Sequence, residues 1–124
     1  MKLSCLQENL AKGLGIVGRA VSTRSTLPVL GNVLMSTDTG RLKLSATNLE
    51  VVITCWIGAK VLEDGEITVP ARTFQDLVNN LPQERIDLNL QQETNTVQVE
   101  CARTNTNIRG IPAAEFPLVP EPDE

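Results

Sequence analysis

No histidine occurs anywhere in the 124 residues. That removes the Ser-His and Cys-His nucleophile pairs and the commonest general base near neutral pH. Cysteine is scarce: Cys5, Cys55 and Cys101 stand far apart, with no CxxC spacing. An odd count at such intervals argues against a structural zinc site and against a disulfide framework. Each of the three lies in an apolar or alternating run and reads as a small buried hydrophobe. No metal and no cofactor are expected. The phosphate-cradling G-x-x-x-x-G-K-[ST] and the dinucleotide G-x-G-x-x-G are missing too; Gly13-Leu14-Gly15 is only a fragment of the latter, inside a helical pattern. No apolar run approaches the roughly 20 residues of a membrane span. The N-terminus turns polar by Gln7, too early for a signal-peptide core. A cytoplasmic address is the expectation.

What is present suits one soluble domain. Hydrophobic residues make up 41% and charged residues 21%, ordinary values for a globular chain. The net charge is −4. A protein gripping nucleic acid over its whole surface would be basic, so any such role requires a local patch or a loose contact.

The chain organises into two similar cycles. Residues 1–6 read as a strand. Leu6, Leu10, Leu14, Val17 and Val21 then recur at helical spacing, with Gln7, Glu8, Lys12 and Arg19 on the opposite face. Gly13, Gly15 and Gly18 weaken this helix by roughly 0.5–1 kcal/mol each relative to alanine, so tertiary packing must hold it. Pro28 biases Leu27 toward extended geometry, and Pro28–Gly31 reads as a bend feeding a buried strand over 29–36. Strands are expected over 41–45 and 50–59. A second cycle opens with a short strand at 67–69. Pro70 starts a helix whose buried stripe is Phe74, Leu77, Val78 and Leu81, stopped at Asn80-Leu81-Pro82. Its open face offers Arg72, Gln75, Asp76, Asn79 and Asn80. Strands over 86–90, 96–101 and 104–111 complete the cycle. The order strand, helix, three strands occurs twice. It predicts an α+β fold of two βαβββ halves related by a pseudo-twofold, with two helices on one face of an antiparallel sheet. Residues 1–117 are read as the domain, and the proline- and acid-rich 118–124 as the start of a linker.

Four segments carry a resemblance: Thr26-Leu27-Pro28-Val29-Leu30-Gly31-Asn32, Ala46-Thr47-Asn48-Leu49-Glu50, Val69-Pro70-Ala71-Arg72 and Ile111-Pro112-Ala113-Ala114-Glu115-Phe116-Pro117. In order and spacing they are similar to the first domain of the bacterial DNA polymerase III sliding clamp family, the β subunit. The resemblance implies a non-enzymatic processivity factor. In that family two three-domain subunits close into a ring around duplex DNA, with helices lining the hole, and the ring tethers the polymerase. The pocket for polymerase and clamp loader lies between the second and third domains, outside this sequence. By itself the fragment is expected to be a monomer without ring or partner pocket.

The resemblance also implies site residues. Arg24, Lys12, Arg19 and Arg72 would give a modest positive lining, and Gln75, Asn79 and Asn80 would meet phosphates directly or through water. Ring closure would map to Thr73, Leu77 and Leu81, and to Arg103, Asn105, Thr106 and Ile108. Relatives often carry lysine at the position of Thr73, and arginine followed by phenylalanine at Asn105 and Thr106. These departures remove charge and an aromatic anchor from the closing surface. Leu77 and Leu81 read equally well as core. Two other readings stand beside the clamp: a small hydrolase using Asp38, Glu50 or Asp64, and a generic α+β protein-interaction module.

Overall fold

A computed structural model of the chain describes residues 1–21 and 27–117. β1 (Lys2–Leu6) alternates Leu3 and Cys5 inward, and α1 (Gln7–Val17) follows without a break. The helix buries Leu10, Leu14 and Val17 as its spacing predicts. Two details differ from the sequence reading. Leu6 is the outward residue that ends β1 and is 50% exposed, whereas Gln7, placed on the open face, is buried. The α-helix also stops at Val17; Gly18–Ala20 tighten into a 3-10 turn, and Val21 is extended.

Leu27 is extended, as a residue before proline must be, and Pro28–Gly31 form a 3-10 turn with proline at its first position. The strand expected from residue 29 therefore begins at Asn32. It is β2 (Asn32–Asp38), followed by β3 (Arg41–Thr47) and β4 (Val52–Gly58). Next comes a short strand that the sequence reading lacked, β5 (Lys60–Glu63). β6 (Glu66–Pro70) leads into α2 (Ala71–Asn79), then β7 (Arg85–Gln91), β8 (Thr96–Cys101) and β9 (Thr104–Arg109).

The strands form two antiparallel sheets rather than one, ordered β5-β1-β7-β8-β9 and β4-β3-β2-β6. The duplication is visible in the pairing. Each half lends its first strand to the three-stranded meander of the other: β1 pairs with β7, and β6 with β2. The inward partners correspond, Leu3 with Leu88 and Cys5 with Ile86 in one sheet, Val69 with Val33 and Ile67 with Met35 in the other. The outer edge of β1 is covered by β5, and that of β6 by a single bridge from Thr68 to Ile111. Exchange of first strands makes neither half a complete unit, so the two are expected to fold together.

Both helices touch each other and the four-stranded sheet. One hydrophobic cluster joins them to both sheets, with Leu10, Leu14, Phe74, Val78, Leu42, Leu44, Ile86 and Leu88 among its fully buried members. Gly13 is part of the reason α1 lies so close. A Cβ placed there would sit 2.8 Å from Leu44 Cδ1 and 3.1 Å from Ile57 Cγ2. A second, smaller cluster of Val29, Leu30 and Phe116 closes the end of the domain. Beside it, Asn32 Nδ2 donates to Thr68 Oγ1 at 3.0 Å, and that hydroxyl donates to the Ile111 carbonyl at 2.8 Å. Thus the segments around Asn32 and Ile111 are tied together through one threonine.

Candidate nucleic-acid interface

The helices present the cations the sequence singled out. Lys12 lies on α1, Arg19 on the 3-10 turn after it and Arg72 in the first turn of α2, and all three are exposed. Asn79 and Asn80 are exposed at the end of α2, where Asn80 Nδ2 donates back to the Asp76 carbonyl at 2.7 Å. That bond satisfies one of the last carbonyls of the helix. Arg24 lies outside the described residues. Across α1, its following turn and α2, three cations stand against the two carboxylates Glu8 and Asp76. The helical layer is slightly positive on a chain of net −4. Cations of this kind, on rigid helices and beside uncharged amides, contact phosphate without reading sequence.

Gln75 occupies a different environment. It is half-buried, and its amide lies over Gly15 and Gly18 of the neighbouring helix. The sequence reading also missed Gln7, whose side chain points away from solvent and donates to the Val78 carbonyl of α2 at 2.8 Å. The only signal for it was its place directly after a strand, where strand alternation and not helical phase sets the first inward residue.

The residues assigned to ring closure divide by environment. Thr73, Arg103 and Asn105 are exposed, and Thr106 is half-buried. Leu81 and Ile108 are core residues of this domain, 8% and 7% exposed, and Leu77 packs partly against the same cluster. Among the described residues β9 is the outer strand of its sheet and pairs only with β8. Asn105 is not free of partners: its Oδ1 accepts from Gln98 Nε2 at 3.3 Å.

The carboxylates considered for hydrolysis lie at or beside three turns. Asp38 ends β2, where Trp56 Nε1 donates to its Oδ2 at 2.8 Å and Thr39 Oγ1 to its Oδ1 at 3.0 Å. Those bonds, the indole first, hold its carboxyl below the ordinary 3.8, with Arg41 and Lys43 assisting. The same two cations stand over the Trp56 ring, 5.5 and 5.7 Å from its centroid. Glu50 and Asp64 are exposed turn residues. Among the described residues, no group of three or more His, Cys, Asp or Glu is placed to hold a metal ion. Cys5 and Cys101 are buried as expected and Cys55 is half-buried. Burial, then the nearby Asp87 and Cys101, pushes the Cys5 thiol up to about 12. Among the described residues no helix is long and apolar enough to cross a membrane.

The turn Thr47-Asn48-Leu49-Glu50 is held together by its own side chains. Thr47 Oγ1 accepts from Leu49 N at 3.0 Å and donates to the Val51 carbonyl at 2.9 Å. Asn48 Oδ1 accepts from the amides of Glu50 and Val51 at 3.0 and 2.9 Å. Together they hold Leu49 at a φ of 78°, a conformation unusual for a branched side chain.

Two βαβββ halves that exchange first strands beneath a pair of adjacent helices define a clamp-type α+β domain. The chain belongs to the DNA polymerase III beta subunit family: the family's N-terminal domain model matches residues 1–120. It is 40% identical to a beta sliding clamp of Synechocystis over 97% of its own length, and 38% identical to that of Pseudomonas aeruginosa over 98%. It spans about a third of the length of these relatives, 32% and 33% respectively. Among solved structures, it superimposes on a DNA polymerase III beta subunit from Eubacterium rectale with a TM-score of 0.93 at 30% identity. That match covers 99% of this chain and 33% of the other. A DNA polymerase sliding clamp from Caulobacter crescentus gives 0.91 at 33% identity, covering 98% and 33%.

Proposed function

We propose that this chain is the first domain of a ring that encircles duplex DNA and slides on it, tethering the replicative polymerase without catalysing a reaction. The observation that carries this reading is the arrangement of charge. The exposed cations Lys12, Arg19 and Arg72 stand on the helical layer, while the chain as a whole is acidic. A topological link needs no tight grip, so a weakly positive lining suffices and avoids stalling on phosphates. In this reading Lys12, Arg19, Arg72, Asn79 and Arg24 face the backbone, with Gln75 between them. Thr73, Arg103, Asn105 and Thr106 form the exposed part of a head-to-tail contact with a second subunit, over the leucine and isoleucine core beneath. Polymerase and clamp loader bind elsewhere in the full-length protein, and the assembly works in the cytoplasm on the nucleoid.

Sedimentation of the 124-residue chain with linear duplex tests this. It should run as a monomer with negligible DNA affinity at physiological salt. Weak binding at low salt should fall when Lys12, Arg19 and Arg72 are all changed to Gln. Tight sequence-selective binding by the chain alone would refute the sliding picture.

A further inference from the structure

Helices that pack through apolar ridges can settle at several crossing angles. Here two glutamines contact the neighbouring helix at opposite ends of α1. At its first residue, Gln7 is 6% exposed and its Nε2 reaches the carbonyl of Val78, 71 positions away in sequence, at 2.8 Å. That carbonyl is among the last four of α2 and also accepts from Leu81 N at 3.1 Å in the turn that ends the helix, so the Gln7 bond is its second. At the far end of α1, the Gln75 amide stands above two glycines, far enough off that a methyl on either would reach it at contact distance. A Cβ at Gly15 would be 3.8 Å from its Nε2, and one at Gly18 would be 3.4 Å from its Oε1. The glycines leave that stretch of α1 without side chains on this side, and the Gln75 amide occupies the space above them. A directional hydrogen bond ties one end, and the Gln75 amide fills the space at the other.

We infer that Gln7 and Gln75 are positioning residues that set the angle and separation of α1 and α2. They thereby set where Lys12 and Arg19 stand relative to Arg72 and Asn79. The purpose of this device rests on the DNA-facing reading above; its geometry does not. A buried N–H is satisfied in only a narrow range of directions, so losing it frees the angle as well as weakening the fold.

The test is the orientation of the two helices in solution, from residual dipolar couplings on the 124-residue chain. Gln7→Met keeps length and bulk but lacks the donor. Gln75→Ala removes the amide from the glycines. Couplings within each helix should still fit an intact helix in both variants. No single alignment tensor should fit both helices in the parent arrangement. If the variants only melt at lower temperature and keep that arrangement, the positioning role is overturned. Should Gln7→Met fail to fold, Gln75→Ala decides alone, because its side chain is half-exposed. No DNA is present in this measurement, so its failure would leave the DNA reading standing. Failure of the charge-neutralisation test would likewise leave this inference standing.

Discussion

Gly13 and Gly15 sit two residues apart on one helix, yet the same substitution should act on them in opposite directions. Alanine in place of either glycine favours the helix by about 0.8–1 kcal/mol. At Gly15 the new methyl would meet only the Gln75 amide, at an ordinary 3.8 Å. Gly15→Ala should therefore raise stability by most of that amount. At Gly13 the methyl would press on Leu44 Cδ1 at 2.8 Å and Ile57 Cγ2 at 3.1 Å. Leu44 is fully buried in the central cluster, so its Cδ1 can move only against other packed side chains. Overpacking of that kind costs about 1–3 kcal/mol. The propensity gain is common to both variants, so their difference isolates the packing term, again about 1–3 kcal/mol. Urea unfolding of the two variants beside the parent measures it, provided the slopes agree. If Gly13→Ala gains as much as Gly15→Ala, α1 does not lie against β3 and β4 as described, and the packing argument fails.

Other outcomes follow from single interactions. Asn32→Leu leaves the Thr68 hydroxyl without its donor in a buried position and should cost about 1–3 kcal/mol in denaturant unfolding. Leu49→Gly should relieve the left-handed backbone and stabilise by up to about 1 kcal/mol, visible as a rise in melting temperature. Because the Asp38 carboxyl is held below 3.8 in the fold, the stabilisation it provides is complete above 3.8 and is lost as pH falls through its lower folded value. Trp56→Phe removes the indole donor, so the Asp38 titration followed by NMR should move upward toward 3.8. Thiol labelling of the native chain should reach half-buried Cys55 first and leave Cys5, with its thiol raised to about 12, protected until unfolding.

Much of this architecture was legible because periodicity reports burial. Phe74 and Val78 fall on the inner face of α2 at the spacing read from sequence, and Leu42 and Leu44 alternate inward on β3. The two-cycle order was also readable, and it matched the paired halves. Strand exchange was not, because periodicity says which face is buried but nothing about which strand is the neighbour. β5 escaped because Lys60–Glu63 is short and mostly exposed, so it shows little alternation. Gln7 was misassigned because the chain changes period there, from two to 3.6, and a stripe drawn back through Leu6 took the wrong phase. The exposure of Lys12, Arg19 and Arg72 could be read in advance because charge on an amphipathic helix has one place to go. Leu77 and Leu81 could not be divided between core and surface, since an apolar stripe on a helix suits both, and Ile108, assigned to the closing surface, proves to be core.

The most direct test of the central claim is a titration of the labelled 124-residue chain with a short duplex at low salt, followed by amide chemical shifts. Shifts should gather on α1, the turn after it and α2, around Lys12, Arg19, Arg72 and Asn79, and fade together as salt rises. Shifts centred on the outer faces of β7, β8 and β9, or a response insensitive to salt, would contradict that claim.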